Sequence, residues 1–363
     1  MKETLKDGFF IGSSGALLLL VLLRPSTIPS LPASVHWETI FTLAGLLIIT
    51  TAMEESGFFL NVSIKLIRRF RNEKSLALFL ILLSAFLSPF LTNDITLFVV
   101  VPMTLGIGSQ IENDAVKFVI FEAMAVNAGS FLTPIGNPQN IYLWHRWNIP
   151  FLKFVAKMAP AWATTLFLIL IFAFIAFPSK AIIVKEEFSG SKINKAMLNL
   201  SALAMVLFLI AVEKDLTYYA AVAVILLFAV IFPEVLARTN WLLIVLFVVL
   251  FMDVHLLLEI FPVKQLLEAH FLKGTGGAYF SAIGLSQLIS NVPAAILLGK
   301  ISNSWKAIAY GVNIGGNGLV IASLANVLAL NIGRAKRAWI KFQLYSLPFL
   351  LVSSAAVYSL LKL

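Results

Sequence analysis

The sequence predicts an all-α polytopic membrane protein with an internal inverted repeat. Of its 363 residues, 60% are hydrophobic and 12% are charged, and the mean hydropathy is +0.94. Soluble domains have about 45–50% apolar and about 25% charged residues. The chain therefore has too little polar surface to cover a soluble globule. Its apolar segments fit membrane-spanning helices of about 20 residues.

A polar stretch inside an apolar segment occurs twice. Residues Val126–Asn140 read VNAGSFLTPIGNPQN, and residues Val312–Asn326 read VNIGGNGLVIASLAN. A gap-free alignment gives the identical pairs Val126/Val312, Asn127/Asn313, Gly129/Gly315, Ile135/Ile321 and Asn140/Asn326. Backbone that leaves the helix inside a bilayer must find partners within the protein or line a wet cavity. Two such broken helices in corresponding halves indicate the binding site of a transporter.

The first half of the chain is assigned to residues 1–178. Its apolar segments predict three spans, at Phe9–Leu23, His36–Met53 and Phe151–Phe177. They also predict a re-entrant hairpin at 75–108 and a broken helix at 115–145. Each arm of the hairpin is about fifteen residues, which is short for a full span of about 20. Its polar tip, Ser88–Thr96, is therefore expected to lie inside the membrane.

Residues 179–215 are expected to form a cytoplasmic loop and one linking span, Ala196–Val212. The second half, 216–363, then repeats the order of the first. Its predicted elements are spans at Tyr218–Phe232, Asn240–Asp253 and Trp339–Leu361, a hairpin at 274–302 and a broken helix at 305–333. Two amphipathic segments, Asn61–Arg71 and Leu256–Lys273, are expected to lie in the membrane interface.

Lysine and arginine collect in three segments, which sets the predicted orientation: Lys65–Lys74, Ser179–Lys195 and Arg334–Lys341. Loops rich in these residues favour the cytoplasmic side of a cell membrane. A cytoplasmic N-terminus, with both hairpins re-entrant and one extra span between the halves, places all three segments on that side. The two halves then have opposite orientations, which is the definition of an inverted repeat.

The hairpin tips carry the first candidate binding residues: Thr92, Asn93, Asp94 and Thr96 in the first, and Ser290 and Asn291 in the second. Helix N-termini at mid-membrane favour anions, whereas amide and hydroxyl oxygens suit Na⁺. The alternative is that these side chains only cap the half-helices.

The two breaks carry the second set: Thr133, Gly136, Asn137 and Asn140 in the first, and Asn313, Gly316, Asn317 and Ser323 in the second. Glycine lets the backbone approach a ligand closely. The alternative is that the small residues only pack helices together.

Two acidic residues within apolar segments are the candidate coupling residues. An ionisable group at membrane depth is costly and is functional by default. Asp94 is predicted to carry a proton or to pair with a cation, the alternative being an N-cap of the next half-helix. Its counterpart in the second hairpin, Val292, is apolar. Glu122 is predicted to relay protons, the alternative being a carboxyl at headgroup level or bonded within the protein.

Several classes of function are disfavoured by the composition. The chain has no cysteine, and its four histidines form neither an HxxxH nor an HExxH pair, so a zinc enzyme is not expected. The glycines near Asn317 are not followed by the Lys-Ser/Thr of a phosphate loop. The net charge of +9 lies in short loops, which argues for membrane topology and against nucleic-acid binding. No enzyme activity and no cofactor beyond a coupling ion are predicted.

Four motifs resemble one family of transporters. They are HWETIFTLAGLLIITTAMEESGFF at His36–Phe59, LTNDIT at Leu91–Thr96, GSFLTPIGNPQN at Gly129–Asn140 and SNVPA at Ser290–Ala294. With the glycine-rich second break, they resemble the ion transporter superfamily. The group in question contains arsenite permeases, NhaD-type Na⁺/H⁺ antiporters and the citrate-transporter-like divalent anion:sodium symporters.

The resemblance implies a dimer in which each protomer has a scaffold and a mobile elevator domain. It implies that Asn93, Thr92 and Asn137 line one site, with Na⁺ near Asn93 and Asn137. Ser290, Asn291 and Ser323 line the other by the same analogy. In the sodium-coupled symporters both tips read Ser-Asn-Thr, whereas here they read Thr-Asn-Asp and Ser-Asn-Val. This departure leaves room for proton coupling at Asp94.

The function expected from the sequence is secondary active transport of a small anion or arsenite, of the oxyanion or dicarboxylate class. Coupling to H⁺ or Na⁺ would drive alternating access. The partners expected are the solute, the lipid bilayer and a second copy of the chain. Two alternatives stay open, an Na⁺/H⁺ antiporter of the NhaD type and a channel-like permease.

Overall fold

The computed structural model describes residues 4–58, 61, 70, 72–108, 115–181, 192–332 and 338–361. Apart from one isolated bridge between Asn72 and Ala181, the regular structure in these ranges is helical. Most of the predicted interfacial segment Asn61–Arg71 and parts of the three basic segments lie outside the described residues.

Six helices are long and apolar enough to cross a membrane: Trp37–Glu55, Glu73–Leu91, Phe151–Ala176, Lys195–Glu213, Trp241–Ile260 and Ala338–Leu361. A seventh candidate is the bent pair Gly8–Leu23 and Pro25–Ser34, whose axes differ by 119°. The predicted all-α polytopic membrane protein is confirmed.

The remaining helices are shorter or more polar. Before the linking span they are Thr4–Leu23, Pro25–Ser30 (3₁₀), Leu31–Ser34, Asn93–Gly108, Ala115–Ser130 and Pro138–Arg146. After the linking span they are Thr217–Ile231, Pro233–Arg238, Val263–His270, Gly274–Ile289, Asn291–Ile301, Trp305–Gly315, Val320–Ala322 (3₁₀) and Leu324–Ile332.

Four helix pairs correspond to the predicted hairpins and broken helices. The first hairpin joins Glu73–Leu91 to Asn93–Gly108, and the second joins Gly274–Ile289 to Asn291–Ile301. The first broken helix consists of Ala115–Ser130 and Pro138–Arg146. The second consists of Trp305–Gly315 and Leu324–Ile332. All four interruptions fall within the polar stretches identified in the sequence.

Each hairpin turns on a single residue. Thr92 has φ 69° and Ser290 has φ 73°, so both hold a positive φ that non-glycine residues rarely adopt. The first tip is narrower than the predicted Ser88–Thr96, because the helix continues through Pro89 to Leu91. That helix also begins at Glu73, capped by Asn72, and its 19 residues are long enough to cross a membrane alone.

Each broken helix packs against its own hairpin through aligned glycines. A Cβ on Gly129 would overlap the carbonyl of Ala85 and the hydroxyl of Ser88. In the second half, a Cβ on Gly315 would lie 2.7 Å from the Cβ of Ser286. Gly129 aligns with Gly315, and Ser88 with Ser286 when the tips are superimposed in sequence. The close approach of helix to hairpin is therefore the same in both halves.

The other long helices pack around this duplicated unit. Trp37–Glu55 packs against Lys195–Glu213 and Thr217–Ile231, and Trp241–Ile260 packs against Thr4–Leu23. The start of the predicted interfacial segment Leu256–Lys273 was placed wrongly. Its first turn continues the helix Trp241–Ile260, because no helix breaker occurs before Pro262.

Candidate functional site

A cavity forms where the two hairpin tips meet the second halves of the two broken helices. We call it the central cavity. It encloses about 250 Å³ of empty space, part of which is open to the outside. Its lining residues are Asn93, Asp94, Pro138, Gln139, Leu243, Phe247, Asn291, Val292, Ser323 and Leu324. The polar groups all come from the hairpins and breaks, and the helix Trp241–Ile260 supplies an apolar wall.

Four helix N-termini meet at the central cavity. The helices beginning at Asn93, Pro138, Asn291 and Leu324 each place their first residues in its wall. The N-terminus of a helix presents unpaired N–H groups and the positive end of the helix dipole. Anions bind at such positions in proteins. Four converging N-termini therefore contribute positive potential to the cavity, whose wall also holds the carboxyl group of Asp94.

The two breaks are joined by reciprocal hydrogen bonds between buried asparagines. Asn127 Nδ2 donates to Asn326 Oδ1 at 2.7 Å, and Asn313 Nδ2 donates to Asn140 Oδ1 at 2.7 Å. Because Asn127 aligns with Asn313 and Asn140 with Asn326, each bond is the image of the other. A self-complementary contact of this kind is expected between units related by a two-fold axis. It supports the predicted internal repeat.

A second reciprocal pair of hydrogen bonds strengthens this contact. Asn137 Nδ2 donates to Asn313 Oδ1 at 2.9 Å, and Ser323 Oγ donates to Asn127 Oδ1 at 3.0 Å. Asn137 aligns with Ser323 in the repeat. All four side chains are buried, so the polar atoms that the broken helices place inside the protein satisfy one another.

Each break is also bonded to its own hairpin. The backbone N–H of Asn93 donates to the Gly136 carbonyl at 3.0 Å. Thr133 Oγ1 donates to the Pro89 carbonyl at 2.7 Å. In the second half one side chain makes both bonds. Gln287 Nε2 donates to the Gly315 carbonyl at 2.7 Å, and its Oε1 accepts from the Leu319 amide at 2.7 Å.

A model of the citrate transporter family matches residues 10–307 of the chain. The chain belongs to the citrate transporter family. This confirms the predicted membership of the ion transporter superfamily, and the family is one of membrane transporters, not of enzymes.

The similar relatives are membrane proteins of comparable length. The inner membrane protein YbiR of Escherichia coli is 40% identical over 335 residues, 92% of this chain and 89% of the relative. An uncharacterized transporter of Methanocaldococcus jannaschii is 35% identical over 338 residues, 89% of this chain and 88% of the relative. One from Mycobacterium tuberculosis is 25% identical over 370 residues, 91% of this chain and 86% of the relative.

The predicted binding residues of this citrate transporter family member divide into two groups. Asn93, Asp94, Asn291 and Ser323 line the central cavity. The two sites inferred separately from the resemblance therefore contribute residues to one space. The other predicted residues lie around it in the tips and breaks: Thr92, Thr96, Thr133, Gly136, Asn137, Asn140, Ser290, Asn313, Gly316 and Asn317.

Most of this second group bonds to the protein itself. Thr96 Oγ1 donates to the Thr92 carbonyl at 2.8 Å, and Asn140 Nδ2 donates to the Thr133 carbonyl at 3.0 Å. Asn317 differs, because its amide is fully buried and neither of its polar atoms has a partner among the described residues.

The two candidate coupling residues lie in different places. Asp94 lines the central cavity and also a second, mostly apolar cavity, whose other lining residues are Phe10, Asn240, Leu242, Leu243, Leu246 and Leu324. Asp94 therefore lies in the walls of both cavities, together with Leu243 and Leu324. Glu122 is fully buried in the first broken helix, where Thr104 of the first hairpin donates to its Oε1. It does not line either cavity.

Five contributors to the site were missed in the sequence. Gln139 lines the cavity, and its position in the first turn after Asn137-Pro138 is a signal that was available. Asn127 and Asn326 were recognised as repeated but were not assigned to the site. Leu243 and Phe247 could not be found in this way, because apolar wall residues look like any others in a spanning helix. Among the described residues, no three His, Asp or Glu side chains are grouped to hold a metal ion.

Proposed function

We propose that the protein is a secondary active transporter that moves a small anion through the central cavity by alternating access. The observation that carries this proposal is the convergence of four helix N-termini on the cavity. Carboxylate or oxyanion groups suit such a site, because the positive ends of four helix dipoles favour negative charge. The family's description favours citrate or a related carboxylate, and arsenite is a further candidate.

The pocket also contains amide and hydroxyl groups that can orient the solute. Asn93, Gln139, Asn291 and Ser323 all line it. Among them, Gln139 Oε1 is buried without a partner in the part of the chain that the structure describes. A polar ligand would satisfy such groups, which is the arrangement expected of a specific site.

Asp94 is the proposed coupling residue. A carboxylate in the cavity wall repels an anion unless a proton or a cation neutralises it. Binding of the anion and of H⁺ or Na⁺ would then favour each other, which is the thermodynamic basis of coupling between two sites. Glu122 is the second proposed coupling residue. For Na⁺, the oxygens near Asn93 and Asn137 are the proposed ligands.

A second candidate function follows from the same residue. If Asp94 binds Na⁺ and H⁺ in turn, the protein is an Na⁺/H⁺ antiporter that needs no anion. The four N-termini disfavour this alternative, because their positive ends lower the affinity for a cation.

We further propose that the protein lies in the cell membrane with a cytoplasmic N-terminus and forms a homodimer. Its hairpins and broken helices would move as an elevator domain against the remaining helices. The reciprocal asparagine bonds support such a unit, because they join both breaks into one body.

Uptake into proteoliposomes tests the proposed function. Labelled citrate, succinate, sulfate, phosphate and arsenite are each offered with an inward pH gradient, an inward Na⁺ gradient or neither. Accumulation of at least one anion under one gradient is expected. Transport of Na⁺ or Li⁺ against protons, with no anion accumulated, would favour the antiporter instead. A flux that never exceeds equilibration under any gradient would favour a channel-like permease.

A further inference from the structure

The first hairpin and the first broken helix begin at the same end of the protein. Lys74, near the start of the hairpin, has its Nζ 4.0 Å from the centre of the Phe174 ring. Lys117, near the start of the broken helix, has its Nζ 4.4 Å from the centre of the Phe177 ring. Both rings lie at the end of one helix, so the two starts are neighbours.

The same two helices also meet near their other ends, where Gly129 touches Ala85 and Ser88. They therefore run side by side in the same direction. With a rise of about 1.5 Å per residue, Ser84 lies about 6 Å before Ser88 and Glu122 about 10 Å before Gly129. Ser84 is thus placed between the level of the Glu122 carboxyl and the level of Ser88.

A line of buried hydroxyl groups follows this contact. Ser84 and Ser88 are four residues apart in the helix and share one face of the hairpin arm, and Thr92 follows at the tip, just after the helix has ended. Their exposed fractions are 0%, 0% and 3%, and none of their oxygens has a partner among the described residues. Glu122 Oε2 is buried and unpaired in the same way. Four orphaned oxygens in one contact require an explanation, because buried polar groups are normally hydrogen-bonded.

In the second half, the hydroxyl groups at the corresponding positions are hydrogen-bonded to the protein. When the tips are aligned in sequence, Ala282, Ser286 and Ser290 correspond to Ser84, Ser88 and Thr92. When the breaks are aligned, Ile308 corresponds to Glu122. Ser286 Oγ donates to the Ala282 carbonyl at 2.7 Å, and Ser290 Oγ donates to the Ala322 carbonyl at 3.4 Å. The architecture that both halves share therefore does not by itself explain why the hydroxyl groups of the first half have no partner.

We propose that Ser84, Ser88 and Thr92 hold a chain of water molecules that conducts protons between the Glu122 carboxyl and the central cavity. The carboxylate of Glu122 takes up one proton to become a carboxylic acid and later returns it to the chain. The hydroxyls bind the water and keep their own protons between transfers. This inference rests on the proposed coupling to protons and specifies its route.

A chain of water fits the spacing better than a bound cation does. Side chains four residues apart on a helix have Cβ atoms about 5–6 Å apart. One metal ion needs its oxygens within about 2.6 Å, so it cannot bridge the three hydroxyls. The charged groups at the ends are Asp94, in the wall of the central cavity, and Lys117, whose Nζ donates to the Ala176 carbonyl.

Infrared spectroscopy of the purified protein tests the route without any solute. The band to be followed is the carboxylic-acid C=O band that is lost in the variant Glu122→Gln. After transfer of the protein to D₂O at mildly acidic pH, the rate at which this band shifts measures deuterium exchange at the Glu122 carboxyl. In the variant Ser84→Val/Ser88→Val, exchange is expected to slow about tenfold or more, equal to about 1.4 kcal/mol on the barrier. Exchange at the wild-type rate would overturn the proposal, as would the absence of any band that depends on Glu122.

Two further variants keep the test decisive. Ser286→Val changes the aligned serine of the second hairpin and is expected to leave the Glu122 exchange rate unchanged. Ser84→Ala/Ser88→Ala replaces the valine variant if that one does not fold, and is again expected to slow exchange. Equal slowing by Ser286→Val would show a general loosening of the protein and would contradict a route confined to the first half. If anion uptake fails while exchange at Glu122 is still slowed by the serine substitutions, the proposed function is overturned and the proton route is retained.

Discussion

Asn127 and Asn326 share a 2.7 Å hydrogen bond that the fold makes twice, since their aligned counterparts Asn313 and Asn140 share another of 2.7 Å. Each of these two bonds crosses between the two breaks, so neither can form within one half of the chain. The interrupted segments of the chain are therefore stabilised as a pair, and neither break is completed without the other.

Replacing one of these asparagines should destabilise the whole unit. Asn313→Ala removes the partner of both Asn140 and Asn137, which stay buried. Leaving a buried polar group unpaired costs about 1–3 kcal/mol. We expect a lower midpoint in thermal unfolding of the detergent-solubilised protein. Asn303→Ala, at an exposed position, is the matched control and should leave the midpoint within error. An unchanged midpoint for Asn313→Ala would contradict the shared stabilisation.

The contact at Gly129 should not tolerate a single methyl group. A Cβ there would overlap the Ala85 carbonyl, which is backbone and cannot move aside without shifting the helix. Gly129→Ala is therefore expected to abolish folding or to cost about 1–3 kcal/mol, the usual cost of overpacking. The yield of monodisperse protein and its thermal midpoint measure the effect.

Gly284→Ala provides the comparison for that substitution. A Cβ on Gly284 meets nothing within 4 Å, and the residue is helical. Alanine is preferred to glycine inside a helix by about 0.5–1 kcal/mol. This variant should therefore be as stable as the wild type or more stable. Equal damage from both glycine substitutions would mean that the Gly129 contact has no special role.

Asp94→Asn should separate exchange of the solute from its accumulation. The amide keeps the size and polarity of the side chain but cannot bind and release a proton or pair with a cation as a carboxylate does. Counterflow of the anion identified by the uptake screen is expected to persist, whereas accumulation under a gradient should fall to the equilibrium level. Asp215→Asn, an exposed loop substitution, should preserve accumulation. Retained gradient-driven accumulation in Asp94→Asn would reject the coupling role.

Acidic pH should destabilise the protein through His36, which lies just before the helix Trp37–Glu55. Burial, and then the charge of His145, lower the pKa of His36 from 6.5 to about 4. A histidine whose folded pKa is lowered stabilises the fold above its unfolded pKa, and that stability is lost as the pH falls from about 6.5 through about 4. The thermal midpoint of the wild type should therefore drop over this range.

His36→Phe should weaken that dependence. The ring of His36 is 5.7 Å from that of Tyr142 and 6.3 Å from that of Phe251, so phenylalanine keeps the aromatic contacts. The variant has no proton to gain at this position, and its midpoint should fall less between pH 7 and pH 4.5. The same fall in both proteins would assign the acid sensitivity to other groups.

The sequence predicted those features that depend on local chemistry. Proline and glycine in TPIGNP disfavour a continuous helix, and the break is found there. Thr92 and Ser290 mark the turning points of the hairpins, as the polar tips indicated. The alignment of Asn127 with Asn313 was visible as a repeat, because identical spacing needs no structure to be recognised.

Features that depend on distant contacts could not be predicted in the same way. Nothing local shows that Asn93 and Asn291 line one cavity, since they are far apart in the chain. The span predicted to end at Asp253 continues as a helix to Ile260. Whether a buried hydroxyl is bonded, as in Ser286, or unpaired, as in Ser88, also depends on its neighbours.

The apolar wall of the central cavity has a mechanical consequence. Leu243 and Phe247 face the tips and breaks with hydrocarbon alone, whereas the polar groups opposite them are held by their own unit. Sliding that unit along the wall would exchange one dispersion contact for another and break no hydrogen bond at this surface. In the proposed elevator motion, the helix Trp241–Ile260 would therefore be the apolar surface along which the hairpins and broken helices move.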